Sequence, residues 1–411
     1  MQCVSNFIKS IRQFFFTSNY MDWLLAIVLL LPPFIFLDSA SRYFNVKIAA
    51  LELIFSIIFL SQKNIKMPKV NYKVMSLVLV FILWISITIF FAEQKTYAFN
   101  RNLCVVMHIL FGYSVWGYLH ENSYRRNYIV YLMAFSFFFP AVCIIVYGLI
   151  LKTTSTPLWS DLPFYSNIRH LGYHVTASLI FAVLIFTRSS NTPIKITLGL
   201  WVFVAIAFLL WSGSRGPIAA LFLTGITLLL IVPNFRTRIV TFTISFSVIL
   251  LFVMFVFKIE FMGYGLVNRT LSSNTIDSLL AGRVKVWSGA LQSVENWLLG
   301  IGGDNFILLK AAGHLAQAHN VIIQAILDWG LIGAMMFSAL LSMIIISAIL
   351  IARSVKGENH TIVIACLGLL LTYILLSMVD GVFYHGVPFM LFVVSAALMF
   401  SCRSSFSKEY K

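Results

Sequence analysis

Charge is what this sequence has least of. Asp and Glu together number 14 in 411 residues, and all charged residues make up 10% of the chain. A chain this poor in charge cannot clothe a water-facing surface of its size, which excludes an ordinary soluble domain. The five cysteines (Cys3, Cys104, Cys143, Cys366 and Cys402) lie in apolar runs or on one expected side of them, so no disulfide framework is implied. There is no G-x-x-x-x-G-K-[ST] stretch, which argues against ATP hydrolysis. D-x-D, H-E-x-x-H and cysteine-cluster patterns are missing too, and with them any obvious metal site. A reaction run by this chain would therefore start from an activated substrate, with arginines rather than a metal or other cofactor taking up the leaving group's charge.

Apolar length is what the sequence has in abundance. Hydrophobic residues make up 60% and the mean hydropathy is +0.93, values of an integral membrane protein. A helix needs roughly 20 mostly apolar residues to cross the hydrocarbon core. Twelve such segments are expected, near 23–37, 48–61, 75–92, 102–119, 128–151, 172–187, 194–212, 217–233, 239–257, 322–352, 361–379 and 387–402. The expected fold is an all-α integral membrane protein, one polytopic domain over 1–411 with about twelve transmembrane helices. No A-x-A site follows the first run, which reads as a retained helix. No internal repeat, low-complexity tract or second soluble domain stands out.

Basic residues give the orientation, because short cytoplasmic loops retain positive charge during insertion. With both termini inside, seventeen of the 29 lysines and arginines are cytoplasmic and seven lie in short outer segments. The other five lie in or beside one long outer loop. The net charge of +15 does not imply nucleic acid, since the basic groups are spread over many loops with no basic helix or aromatic platform.

Residues 152–171 form one Pro- and Ser/Thr-rich outer loop, and 258–320 form the only sizeable water-facing region. Within the latter, Leu280, Val284, Trp287, Leu291, Val294 and Leu298 recur at helical spacing and predict an amphipathic helix. Arg283 falls at the inward flank of that stripe, while Lys285 points to the opposite, solvated face. "GIGGDNF", 300–306, ends the helix with its glycines.

Four polar groups at the outer boundary could carry chemistry. Arg215, in "SGSRG" between two apolar runs, offers a permanent planar fork that matches phosphate oxygens. It reads equally as an interfacial anchor snorkelling to headgroups. Arg283 would be the second arm of a diphosphate clamp. His319, whose side chain can accept a proton near neutrality, closes the loop that carries Arg283 and is followed by Asn320. The plainer reading is a polar residue at a helix start. Asp380, before Gly381, could orient His319 or balance an arginine, or be a simple turn residue. His314 is a weaker candidate base, and Glu52, inside an apolar run, is costly there and has no assigned role.

Three stretches together form a recognisable pattern: "SGSRG" after a span, "AGRVKVWSGAL" with "NWLLGIGGDNF" in the long loop, and "HN" followed nine residues later by "GLIG". The chain resembles the O-antigen ligase and polymerase superfamily, and the run from His319 to Gly333 looks most like the ligases. Ala334 stands where ligases often have threonine. The resemblance implies a bacterial inner-membrane enzyme with a periplasmic active site. It would move O-antigen from undecaprenyl diphosphate to a sugar hydroxyl of lipid A-core, inverting and without metal. It also implies that Arg215 and Arg283 bind the departing diphosphate, that His319 is the base, with Asn320 beside the substrate, and that Asp380 supports it. A polymerase would use the same donor with a growing chain as acceptor. A transporter would more often show inverted repeats or helices broken at mid-membrane.

Overall fold

Asparagine starts four of the helices. The side chains of Asn19, Asn71, Asn191 and Asn320 accept hydrogen bonds from backbone N–H groups of the first turns that follow them, satisfying donors that a helix N-terminus leaves open. A computed structural model describes residues 19–35, 44–148, 162–165, 168–232, 275, 282–309 and 315–404. Regular structure among them is entirely helical. The helices are α1 (Tyr20–Leu30), α2 (Phe44–Leu60), α3 (Tyr72–Phe91), α4 (Lys95–Glu121), α5 (Arg126–Phe135), α6 (Phe138–Val146) and α7 (Ile168–Arg188). They continue as α8 (Thr192–Trp211), α9 (Arg215–Ile231), α10 (Arg283–Gln292), α11 (Val321–Ser354), α12 (Glu358–Ser377) and α13 (Gly386–Ser404).

Eight stretches among the described residues are long and apolar enough to cross a membrane, with α5 and α6 counted as one; α1 and α9 are apolar but shorter. The expected run at 239–257 lies outside the described residues. The run at 23–37 is interrupted after Leu30, where Pro32 and Pro33 remove backbone donors. The run at 128–151 breaks between Phe135 and Phe138, where Ser136 Oγ turns back to the Met133 carbonyl and Pro140 cannot donate to the preceding turn. Helix α7 begins at Ile168, inside the stretch 152–171 expected to be loop.

Helices α12 and α13 lie at the centre, with Leu367, Leu370, Leu391, Val394 and Leu398 fully buried. Helix α3 lies at the periphery and turns Leu79, Leu83 and Phe90 outward, as a lipid-facing helix does. In the long loop, α10 is shorter than the expected 280–298 repeat. It stops at Gln292 because Ser293 Oγ bonds back to the Gly289 carbonyl and the Asn296 side chain takes the N–H groups of Leu298 and Leu299 into a turn. Leu280 lies outside the described residues.

Helix α11 is broken. Gly330 has φ 68° and ψ −178°, so residues 321–329 form a separate short helix above the main shaft. The segment 297–301 fills the gap: Ile301 N–H donates to the Leu327 carbonyl and Leu331 N–H donates to the Trp297 carbonyl, each at 2.7 Å. The freed Trp329 carbonyl accepts the Trp84 indole N–H at 2.9 Å. A Cβ at Gly330 would sit 1.9 Å from the Leu298 carbonyl oxygen, and one at Gly300 would sit 2.5 Å from that of Leu327. Both glycines also have positive φ. Gly330→Ala is therefore expected to destabilise by ~2 kcal/mol or more, against ~1 kcal/mol for Trp84→Phe. Thermal unfolding of the purified protein in nanodiscs should rank the two in that order, and equal melting temperatures would contradict this account of the break.

Candidate functional site

His319 is held from every side. Its backbone adopts φ 53°, a left-handed conformation that side chains other than glycine rarely take. The residues flanking it are pinned: the Ala318 carbonyl accepts the Trp287 indole N–H at 2.7 Å, and Ala318 N–H donates to Gln324 Oε1 at 2.8 Å. Asn320 caps α11 through Ile322 and Ile323 and donates its amide to the Met378 carbonyl. Its side chain thus ties the start of α11 to the end of α12.

The imidazole of His319 meets Asp380, three residues past the end of α12, with Nδ1 2.9 Å from Oδ1. The same carboxylate oxygen accepts the Gly381 N–H, and Arg283 at the start of α10 reaches it at 3.6 Å. On the other side of the ring, Arg169 Nη1 lies 3.5 Å from Nε2. A guanidinium can only donate, so the Nε2 lone pair faces Arg169 and the ring proton is on Nδ1, donated to Asp380.

Electrostatics agree with that assignment. Burial pushes the imidazole below the usual histidine range and the Arg169 and Arg283 charges add to this, while the bond to Asp380 opposes them. Burial alone would raise the Asp380 carboxyl, but the His319 hydrogen bond and the Arg283, His319 and Arg169 charges outweigh it and hold the group well below the usual carboxylate range. The pair is thus a neutral imidazole, its Nε2 lone pair turned toward Arg169, oriented by a permanent anion.

Arg215 opens α9 after a turn in which Gly213 has φ 59°. Its backbone neighbours place it beside the cluster: Gly216 packs against Leu376 and Val379, just before Asp380, and Ser214 and Pro217 pack against Gly172, three residues after Arg169. Arg283 has 12% of its side chain exposed, and Lys285 is exposed. His314 lies outside the described residues. Glu52 is elsewhere in the bundle, paired with His108 Nδ1 at 2.7 Å, whose ring packs on Phe389.

Two arginines escaped sequence reasoning. Arg169 sits in a stretch assigned to a loop, although "NIRHLGYH" already turns polar groups into what becomes the first turn of α7. Arg101, in α4, is 6% exposed and lies 3.5 Å from Asp328 and 4.0 Å from Asp304, with its guanidinium over the Tyr384 ring. Its Nη groups donate to the carbonyls of Phe383 and Tyr384.

A sequence model of one family, described as O-antigen ligase, matches residues 200–338, a stretch that holds Arg215, Arg283 and His319. That match supports membership of the O-antigen ligase and polymerase superfamily. No curated protein matches the chain. The O-antigen ligase match ends five residues past Gly333, within α11, so Asp380 and Arg169 lie outside it.

Removing the Asp380 charge takes away the influence that raises the His319 pKa while leaving Arg169 and Arg283 in place. In an Asp380→Asn variant, His319 is expected to titrate at lower pH than in the wild type, followed through selectively 15N-labelled histidine in nanodiscs. An upward shift would contradict the assigned pairing.

Proposed function

We propose that this protein is an O-antigen ligase, a membrane glycosyltransferase that moves O-antigen polysaccharide from undecaprenyl diphosphate to a hydroxyl of lipid A-core. The observation that carries the reading is the His319–Asp380 pair, with Arg169 and Arg283 beside it, in a chain whose O-antigen ligase match takes in His319 and Arg283. The reading includes a periplasmic site on a multi-pass inner-membrane protein with both termini cytoplasmic.

In this mechanism the acceptor hydroxyl takes the place of Arg169 at His319 Nε2, which accepts its proton as the hydroxyl oxygen attacks the anomeric carbon of the donor. The bond from that carbon to the diphosphate oxygen breaks, configuration inverts, and undecaprenyl diphosphate leaves with the electron pair. Arg215 and Arg283 hold the departing diphosphate, whose negative charge grows in the transition state. Asp380 keeps the imidazole in the required tautomer and stabilises its protonated form, and Asn320 sets the position of the helix start beside the substrate. Charge stabilisation by guanidinium groups accounts for the reaction without a metal or other cofactor.

Purified protein with lipid-linked O-antigen and lipid A-core is expected to give a high-mass lipopolysaccharide ladder in EDTA and without ATP. His319→Ala should lower the rate by about 100-fold or more, and Arg283→Lys should lose most activity because an ammonium cannot fork onto two phosphate oxygens. If only the lipid-linked donor lengthens, without any need for lipid A-core, the protein is a polymerase and the acceptor assignment fails. The acid limb of kcat/KM should lie below about pH 6.5, since His319 is held below the ordinary histidine value and is lost as a base only when protonated. A limb above that value would contradict its role.

A further inference from the structure

Next to the His319–Asp380 pair, a cavity of roughly 330 Å³ counted to its open mouth runs inward toward Arg101. Asp380 and Gln317 stand at one part of its wall, Gln324, Asp328 and Arg101 at another, and Trp329 and Tyr384 supply aromatic surface. That volume includes open solvent at the mouth, and the enclosed part suits a group of water or hydroxymethyl size rather than a ring.

The polar lining is more than packing requires. Asp328 is 0% exposed, and only its Oδ1 has a hydrogen bond, from Gln324 Nε2 at 2.9 Å. Its Oδ2 has no hydrogen-bond partner, nor does Arg101 Nε; the two face each other at 3.5 Å in an ion pair. A buried carboxylate and guanidinium left short of hydrogen bonds in one cavity are costly unless something else completes them. A hydroxyl does so from both sides, donating to the carboxylate and accepting from the guanidinium.

We propose that this cavity receives the hydroxymethyl arm of the acceptor sugar, with Asp328 and Arg101 binding its hydroxyl while the ring's nucleophilic hydroxyl faces His319 Nε2. The inference rests on the glycosyl-transfer reading and adds to it a specificity for hexopyranose over pentopyranose acceptors. The arm is the one substituent of a hexopyranose that projects a flexible hydroxyl beyond the ring, which matches a small, largely apolar recess that holds a few charged and amide groups. Trp329 and Tyr384 offer apolar surface for the C–H groups of the same sugar. Asp328 is thereby a binding residue for the acceptor and takes no part in proton transfer.

The test uses the full-length protein in nanodiscs, with lipid-linked O-antigen as donor and two acceptors: lipid A-core ending in glucose, and the same core ending in xylose, which lacks the arm. Wild type is expected to favour glucose by about tenfold or more in kcat/KM. Ala325→Leu, which fills the cavity from α11, and Asp328→Asn, which removes the charge at constant shape, should each bring the glucose-to-xylose ratio toward one. Melting temperature and donor KM identify any variant that has misfolded, and the two variants perturb the cavity in different ways. Equal use of both acceptors by wild type overturns the inference, as does a ratio unchanged in both folded variants. No transfer by wild type to either acceptor would instead overturn the glycosyl-transfer reading, and this inference with it.

Discussion

The site depends on one piece of backbone geometry, the insertion of segment 297–301 into the break of α11. An α-helix interrupted inside a membrane protein leaves carbonyl and N–H groups without partners, and in a low-dielectric interior each is costly. Here the chain supplies the partners itself: Leu327 and Leu331 pair with Ile301 and Trp297, and the Trp84 indole takes the Trp329 carbonyl. Only glycine at 300 and 330 lets the two strands of backbone approach this closely. The short helix thus set apart begins at the Asn320 cap and carries Gln324, which fixes Ala318, and Asp328, which faces Arg101.

Around this splint the polar groups assemble from parts of the chain far apart in sequence. Arg169 arrives from the start of α7, Arg283 from α10, and Asp380 from the turn after α12. Arg101 arrives from α4, its Nη groups satisfied by the carbonyls of Phe383 and Tyr384 in the turn before α13. Two charge clusters result. In one, a single carboxylate answers a histidine and neighbouring arginines; in the other, a single arginine answers two carboxylates.

What the sequence disclosed follows from which signals are local. Hydropathy located α8, observed at Thr192–Trp211 against an expected 194–212, because burial in lipid needs only a continuous apolar run. The site residues drew notice through residue type and position at a span boundary, as with His319 before its apolar run. The break in α11 was not legible, because G-x-x-G within an apolar stretch reads as a continuous helix with a small-residue face. Its cause lies some thirty residues upstream, in glycines that looked only like a loop. Arg169 was hidden by a boundary error of four residues at α7, and Arg101 by its place at the edge of an apolar run, where a charge reads as an anchor. The repeat taken for a helix over 280–298 was real as a pattern, yet hydrogen bonds from Ser293 and Asn296 close the helix at Gln292, and a pattern of apolar residues cannot register such side-chain competition with the backbone.

The splint also changes how movement can pass through the molecule. A continuous α11 would transmit any tilt of its lipid-facing shaft directly to His319, since a helix is stiff along its hydrogen-bonded ladder. With the ladder cut at Gly330 and resewn by residues 297–301, the shaft and the short helix are coupled through the loop that follows α10, the helix that begins with Arg283. A tilt of the shaft then reaches the short helix that follows His319 through the backbone contacts of residues 297–301 and not along one continuous hydrogen-bonded ladder.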